Sequence, residues 1–461
     1  MDTVIPPLVT IYIPCRDYGK YLEQAIESVL TQSFQDWYLY LIDDGSIDDT
    51  SLICSYYQSK YKHKITYLKN NVPLGLQKVA NHILPLICSE FIMRLDADDW
   101  LEDYALLLMI DKFKRNPRLG LVYGNYFYTN INGRVLGMER RLSIEDEDHS
   151  GNIPPHGACT MVRTRSLKSV GGYSQSPTSQ DGWDLWYKLY KRVDVSIINA
   201  PLFYYRQHNS SLSRDNNRLL KSRSAIFQSL GQSLQGDYKP RTVGIVAVQN
   251  YIESNTSITD CVHNGLNLLE SAILKASEIK AIDILVVSSD SQYILDFSKD
   301  LELSGRVPQH FRVIRDHHIN SQVKLPIKYI WRSTYDYLLS NHKISPDILF
   351  FFNLYSVHCK SQYVQDAYNL LLINESDTVV SVDEINDPVF KYGKRGLDII
   401  NLGRIHNLAY DRERLFRFNG AFIGTWSTTL QLAHEIGEKI SFIEMSPEDS
   451  VKYKVRPKGN S

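Results

Sequence analysis

Cysteine is scarce in this chain, and its six residues (Cys15, Cys54, Cys88, Cys159, Cys261 and Cys359) are scattered with no C-x-x-C pair. That spacing gives neither a zinc site nor a disulfide framework, so reduced thiols in a cytoplasmic setting are the simplest expectation. No charge of either sign dominates. A net charge of −1 argues against a nucleic-acid partner, which calls for a basic excess. Long apolar runs are missing as well: Ala105 to Ile110 and Ile348 to Phe352 fall far short of the ~20 residues that a membrane-spanning helix needs. The amino terminus has no basic start followed by an apolar core, so no signal peptide is evident. These absences leave at most peripheral membrane contact, at the inner face of the cytoplasmic membrane. Hydrophobic and charged contents of 43% and 22% describe an ordinary globular chain, and 461 residues suffice for two to three domains.

What is present is acid in particular places. Arg94-Leu95-Asp96-Ala97-Asp98-Asp99 follows Glu90-Phe91-Ile92-Met93, which reads as a buried strand, and precedes Trp100-Leu101-Glu102-Asp103, which reads as a helix start. Three carboxylates this close repel one another unless a cation or hydrogen-bond donors compensate. Magnesium and manganese prefer oxygen ligands, often one or two carboxylates with phosphates completing the shell. For the hexapeptide alone, the alternative is a solvated acidic turn with Asp99 as a helix N-cap. Upstream, Val9 to Pro14 reads as a strand, and Tyr21, Leu22, Ala25, Ile26, Val29 and Leu30 recur at helical spacing. Trp37 to Ile42 is a second strand, ending at Asp43-Asp44. Strand, helix and strand of these lengths make a βαβ unit in a parallel sheet. Both acidic pairs then sit at carboxyl ends of strands, where such sheets bind ligands. Two acidic strand ends on one sheet point to a nucleotide-diphosphate site.

Further segments extend the pattern: Val170-Gly171-Gly172-Tyr173, Gln180-Asp181-Gly182-Trp183-Asp184 and Tyr205-Arg206-Gln207-His208. In this order and spacing, residues 8–215 resemble the family 2 glycosyltransferases of the GT-A fold. The resemblance implies an α/β nucleotide-diphospho-sugar transferase domain over residues 1–235 that transfers a sugar with inversion. By position it places Pro14, Arg16 and Asp44 in the nucleobase pocket and Asp96 by the ribose and diphosphate. Asp98 would hold Mn2+ or Mg2+. His208 matches a histidine that approaches the diphosphate or metal in some members, with a structural role as its alternative. Arg16-Asp17 stands where many members have Tyr-Asn. Displacement at an anomeric carbon needs a stabilised leaving diphosphate and a base for the acceptor hydroxyl. Asp181 is the candidate base, although a carboxylate there also suits a helix amino terminus; Asp184 reads as that structural kind. Gln180 replaces the usual Glu, which weakens any upward tuning of the base by like charge. His156 and Arg163 fall near the acceptor side in the resemblance, a solvated loop histidine being the alternative for His156. Gly171-Gly172 reads as a turn needing positive φ.

A boundary falls between Gly231 and Pro240, and beyond it the strand-then-helix rhythm starts afresh at Thr242. Residues 241–461 are expected to form a second α/β domain, with strands at 242–248, 283–290, 348–352 and 378–382. Val286 to Asp290, Asp347 to Asn353, Ser376 to Val382 and Phe418 to Ile423 resemble the acylneuraminate cytidylyltransferases. The chemistry of that family does not carry over. Its basic nucleotide loop reads Val248-Gln249-Asn250-Tyr251-Ile252-Glu253-Ser254 here, and one of its arginines falls at Cys359 beside Lys360. Its late carboxylate pair falls on Ile443 and Met445, leaving Glu444 between them. A triphosphate-using transferase needs cationic groups and a metal, so this nucleotidyltransferase-like domain is expected to be non-catalytic. The sequence therefore predicts a metal-dependent inverting glycosyltransferase. Its partners would be a nucleotide-sugar donor and a glycan or lipid-linked glycan acceptor in surface-polysaccharide synthesis. Two rivals remain: a bifunctional or nucleotidyltransferase protein making a CMP-activated nonulosonic acid, and a non-enzymatic carbohydrate-binding scaffold.

Overall fold

The apolar run near the start of the chain forms strand β1 (Val9–Cys15), buried on both faces as a central parallel strand must be. In this computed structural model the described residues are 6–139, 156–175, 180–190, 192–208, 216–234, 239–249, 257–315, 327–385, 387–393, 396–400, 415–431 and 436–454. They divide into two units, residues 1–226 with 386–415 and residues 227–385 with 416–461. The assignment of 386–415 to the first unit is one that the strand-and-helix rhythm gave no sign of.

In the first unit β1 is followed by α1 (Gly19–Leu30), β2 (Trp37–Asp44), α2 (Thr50–Lys60), β3 (Ile65–Asn70), α3 (Leu76–Ile83), β4 (Phe91–Arg94) and β5 (Trp100–Leu101). Then come α4 (Ala105–Arg115), β6 (Leu119–Thr129), β7 (Val135–Glu139), β8 (Met161–Arg163), α5 (Thr164–Ser169), α6 (Asp181–Leu189), β9 (Asp194–Arg206) and α7 (Asn216–Leu234). The helical spacing read from the sequence is the buried face of α1: Tyr21, Leu22, Ala25, Ile26 and Val29 all leave solvent. Burying a side chain such as Leu22 or Ile26 stabilises by roughly 1.5–3 kcal/mol each. The sheet runs β3-β2-β1-β4-β8-β6-β9-β5, with β7 paired to β6. Strands β3, β2, β1 and β4 are parallel, and β8 enters antiparallel to β4. The chain passes from β1 to β2 on one side and later returns to β4 on the other. The crevice at the carboxyl ends of β1, β2 and β4 is thus a topological switch point, the place where open α/β sheets bind ligands.

One local expectation is overturned. Trp100-Leu101 is a strand, not a helix start: it pairs antiparallel with Phe203 and Tyr204 of β9. The Trp100 ring stacks on Tyr204 at 4.7 Å, a cross-strand contact that favours strand over helix. Helix α4 begins five residues later than Trp100, at Ala105, so Asp99 is not its N-cap.

The second unit is built on β10 (Thr242–Val248), β11 (Val262–His263), β12 (Leu266–Asn267), α8 (Leu268–Ser277), β13 (Ile284–Ser289), α9 (Gln292–Leu303) and β14 (Phe311–Ile314). It continues with α10 (Ile327–His342), β15 (Ile348–Phe352), α11 (Ser361–Asn374) and β16 (Thr378–Glu384). A hairpin of β17 (Phe390–Gly393) and β18 (Gly396–Ile399) lies in the stretch assigned to the first unit; β19 (Phe416–Trp426) and β20 (Ile440–Glu444) complete the second. The sheet order is β14-β13-β10-β15-β19-β16-β20. Every pair is parallel except those of β19, which runs against β15 and β16. The four strands read from the sequence are all present. Among the described residues, no helix is long and apolar enough to cross a membrane.

Candidate active site

The site is assembled from turns that tie one another down. After β1, Asp17 takes a left-handed conformation (φ 58°), which Asp and Asn tolerate better than bulkier residues. Its carboxylate accepts from Ile47 N at 2.8 Å, and its own N–H donates to Ser46 Oγ at 3.1 Å. Asp48 returns the tie by accepting from Gly19 N at 2.8 Å. The turns after β1 and β2 are therefore one hydrogen-bonded unit; Arg16 sits on it, and Pro14 lies just before it, within β1. The Arg16 side chain is exposed and only loosely paired with Asp17, at 3.9 Å.

The two acids at the end of β2 do different things. Asp43 is fully buried and accepts from Ser46 N at 2.7 Å, Ser51 Oγ at 2.5 Å and Tyr67 OH at 3.2 Å. Burial alone would raise its pKa, but the hydrogen bonds from Ser51, Ser46 and Tyr67 outweigh that and hold it below the ordinary value. Asp44 accepts from Asn70 Nδ2, Leu74 N and Gly75 N, each at 2.8 Å. It fixes the 70–75 loop that walls the crevice.

At the end of β4, Arg94 is buried between two carboxylates. Its Nε lies 2.8 Å from Asp96 Oδ1, and its Nη1 is ion-paired with Asp181. Asp181 opens α6, after Gln180 in the left-handed conformation. Burial, opposed by Arg94 and aided by Asp98 and Asp181, pushes Asp96 up to about 6. Gly157 lies directly on the pair: a Cβ there would stand 2.7 Å from both Arg94 Nη2 and Asp181 Oδ2. Asp184, by contrast, accepts from Ser174 N and Oγ at 2.6 Å and from Lys188 Nζ at 3.0 Å, a purely structural set.

Asp98 meets His208. The imidazole Nε2 is 2.8 Å from Asp98 Oδ2, and the ring packs against Tyr18 and Tyr21 at 5.4 and 5.7 Å. Asp99 is fully buried; its Oδ1 accepts from Arg206 N at 2.9 Å, and its Oδ2 has no partner among the described residues. Burial, then repulsion from Asp98 and Asp96, raises the Asp99 pKa well above its ordinary value. Sequence reasoning passed over Arg206. It donates Nε to the Asp98 carbonyl at 2.8 Å and Nη1 to the Ile131 carbonyl at 2.7 Å. Its guanidinium lies between the rings of Tyr21 and Trp100, each at 4.6 Å. Its position two residues before His208, on a strand end, was the available signal.

No group of three His, Cys, Asp or Glu side chains converges as a closed metal cage among the described residues. A divalent ion that keeps phosphate ligands needs fewer protein groups. The adjoining carboxylate and imidazole of Asp98 and His208, with the orphaned Asp99 oxygen behind them, fit such an ion.

The two expected acceptor residues part company. His156 stands beside Gly157, its Nδ1 accepting from Ala158 N at 3.2 Å, its ring among Tyr126, Phe203 and Tyr205. Arg163 is at the other end of the sheet. It pairs in register with Phe91, the first residue of β4, three residues (roughly 10 Å) from Arg94. Its guanidinium is ion-paired with Glu90 and donates to the Leu119 and Pro117 carbonyls at 3.1 and 3.3 Å. Arg163 braces the base of the sheet, three residues along β4 from Arg94. Gly171 and Gly172 have φ of 75° and 74°, as their turn required.

Residues 10–171 match the family Glycosyl transferase family 2. Over 217 residues the chain is 28% identical to chondroitin synthase of Escherichia coli, covering 45% of this chain and 30% of that protein. Over 181 residues it is 28% identical to poly-beta-1,6-N-acetyl-D-glucosamine synthase of Staphylococcus epidermidis, covering 38% of this chain and 43% of that protein. The match thus spans less than half the length of either relative. Among solved structures it is similar to S. aureus TarS 1-349 in complex with UDP-GlcNAc, at 17% identity and a TM-score of 0.41, over 50% of this chain and 67% of that one.

Proposed function

We propose that this protein is an inverting, divalent-metal-dependent glycosyltransferase that moves a sugar from a nucleotide-sugar donor to a glycan acceptor in surface-polysaccharide synthesis. The observation that carries the reading is the convergence of Asp98–His208 and Arg94–Asp96–Asp181 at one switch-point crevice. The relatives' names, a chondroitin synthase and a poly-N-acetylglucosamine synthase, support the polysaccharide setting. In this reading Pro14, Arg16 and the loop held by Asp44 line the nucleobase pocket, and Asp96 faces the ribose and diphosphate. Asp98 and His208 hold Mn2+ or Mg2+, which when bound supplies Lewis-acid stabilisation of the leaving diphosphate. Asp181 takes the acceptor hydroxyl proton as that oxygen bonds to the anomeric carbon and the bond to the diphosphate breaks. Arg94 holds Asp181 in place through their ion pair. His156, beside Gly157, faces the acceptor.

We read the second unit as a non-catalytic relative of the cytidylyltransferases. Supporting this, Ile443 and Met445, at the positions where that family carries carboxylates, are 5% and 2% exposed and belong to the core. Turnover of UDP-, GDP- and CMP-sugars, each with Mn2+ and with chelator, tests the proposal. Metal-dependent release of one nucleoside phosphate is expected. No turnover of any donor with metal would refute it, and CTP consumption with a nonulosonic acid would favour the nucleotidyltransferase rival.

A further inference from the structure

The second unit contains a pocket that the transferase chemistry leaves unused. It is a cleft, open to solvent on one side, between α8 and the loop from β15 to α11. Ala272, Ala276, Leu354, Val357 and Val364 give it apolar walls.

Three polar features share that space. Ser356 lines the pocket at 7% exposure, and its buried Oγ has no hydrogen-bond partner among the described residues. A buried hydroxyl left unpaired costs about 1–3 kcal/mol, which a ligand atom would offset. Lys275, on α8, also lines the pocket and gives one hydrogen bond to the Val357 carbonyl. An ammonium has three donors, so capacity remains. Third, α11 runs for 14 residues from Ser361, and its N-cap, Lys360, makes no side-chain capping bond. The first N–H groups of a helix lack intrahelical partners and carry its positive pole, an arrangement suited to anions. Lys360 itself is balanced by Asp449 at 2.7 Å, which leaves Lys275 as the cation for a ligand. Glu278 and Asp449 act on Lys275 only at longer range, and burial lowers its pKa first.

We propose that this pocket binds a small anion, a carboxylate or phosphate monoester on a compact apolar body. Lys275 is its counter-ion, and Ser356 Oγ and the amino end of α11 are its hydrogen-bond donors. The site is independent of the glycosyltransferase reading.

The test uses the full-length protein with divalent ions chelated, so that no metal-held phosphate binds in the first unit. Methyl phosphate and isobutyrate are titrated separately by calorimetry. At least one should bind saturably and more weakly as salt rises, and which one binds names the anionic group. Affinity should fall about tenfold in Lys275→Met and several-fold in Ser356→Ala, with melting temperatures close to the parent's. No saturable binding of either probe overturns the proposal, as does affinity unchanged in both variants. If Lys275→Met fails to fold, Ser356→Ala decides alone, and parent-like affinity there overturns it.

Discussion

His208 Nε2 stands 2.8 Å from the Asp98 carboxylate across 110 residues of sequence. Arg206, two residues before the histidine, holds the backbone of the same aspartate through its Nε. The acidic loop after β4 and the end of β9 are therefore clamped by both a side-chain pair and a guanidinium.

Asp98→Ala should leave the fold intact and lower sugar transfer by on the order of 10²–10³-fold, the equivalent of several kcal/mol of charge stabilisation. His208→Ala should weaken Mn2+ binding, read by electron paramagnetic resonance in the presence of the nucleotide product. Parent-like transfer by folded Asp98→Ala protein would remove the metal role.

Asp181→Asn tests the base. A general base contributes on the order of 10²–10⁴-fold, so transfer should fall by about that much while donor affinity changes little. The ion pair adds a second expectation, because Asp181 is also a partner of buried Arg94. Losing one partner of a buried pair costs roughly 3–5 kcal/mol at the extreme. Asp96 remains beside Arg94, so the observed loss of stability should be smaller. Asp184→Asn, which breaks contacts to Ser174 and Lys188, should cost stability and leave the rate of the folded enzyme near the parent's. The opposite pattern of rates would make Asp184 the base.

Gly157→Ala probes the same pair by crowding. The added Cβ meets Arg94 and Asp181 at 2.7 Å, closer than real contacts allow, so the pair must shift. A misplacement near 1 Å costs catalysis on the order of 10²-fold. Transfer should drop toward that level, with donor binding, measured by nucleotide-diphosphate affinity, within a few-fold of the parent. A variant with full transfer would show that the Arg94–Asp181 geometry is not needed.

The elements that the sequence displayed were those with strong periodicity: β1, α1, β2 and the buried strands of the second unit. The acidic strand ends stood out as candidates because neighbouring carboxylates repel one another unless donors or a cation compensate. What stayed hidden depends on long-range pairing. Trp100-Leu101 has no strand signal of its own and becomes one only because Phe203 and Tyr204 lie opposite. Arg163 is near Asp181 in sequence, but the antiparallel run of β8 carries it to the start of β4. Arg94 is one arginine among many in a one-dimensional reading; only the fold brings Asp96 and Asp181 to its two sides. Likewise, nothing in Asp43-Asp44 says which acid is buried as a turn tie and which holds the crevice wall.

Asp43 gives a prediction in pH. Its folded pKa lies below the ordinary 3.8 because the hydrogen bonds from Ser51, Ser46 and Tyr67 outweigh its burial. The unfolded chain therefore binds a proton at higher pH than the folded one, and stability from this group rises with pH. The contribution is complete above the unfolded value, near 4, and is lost as pH falls through the lower folded value. Asp43→Asn keeps the size and one carbonyl oxygen but loses the charge, costing about 2 kcal/mol at pH 7. Urea unfolding of parent and variant from pH 7 down to pH 3 gives the difference free of all other carboxylates. That difference should be constant above pH 5 and should narrow below pH 4. A gap of constant size across the whole range would mean that Asp43 ionises alike in both states, and that its three hydrogen bonds do not favour the charged form.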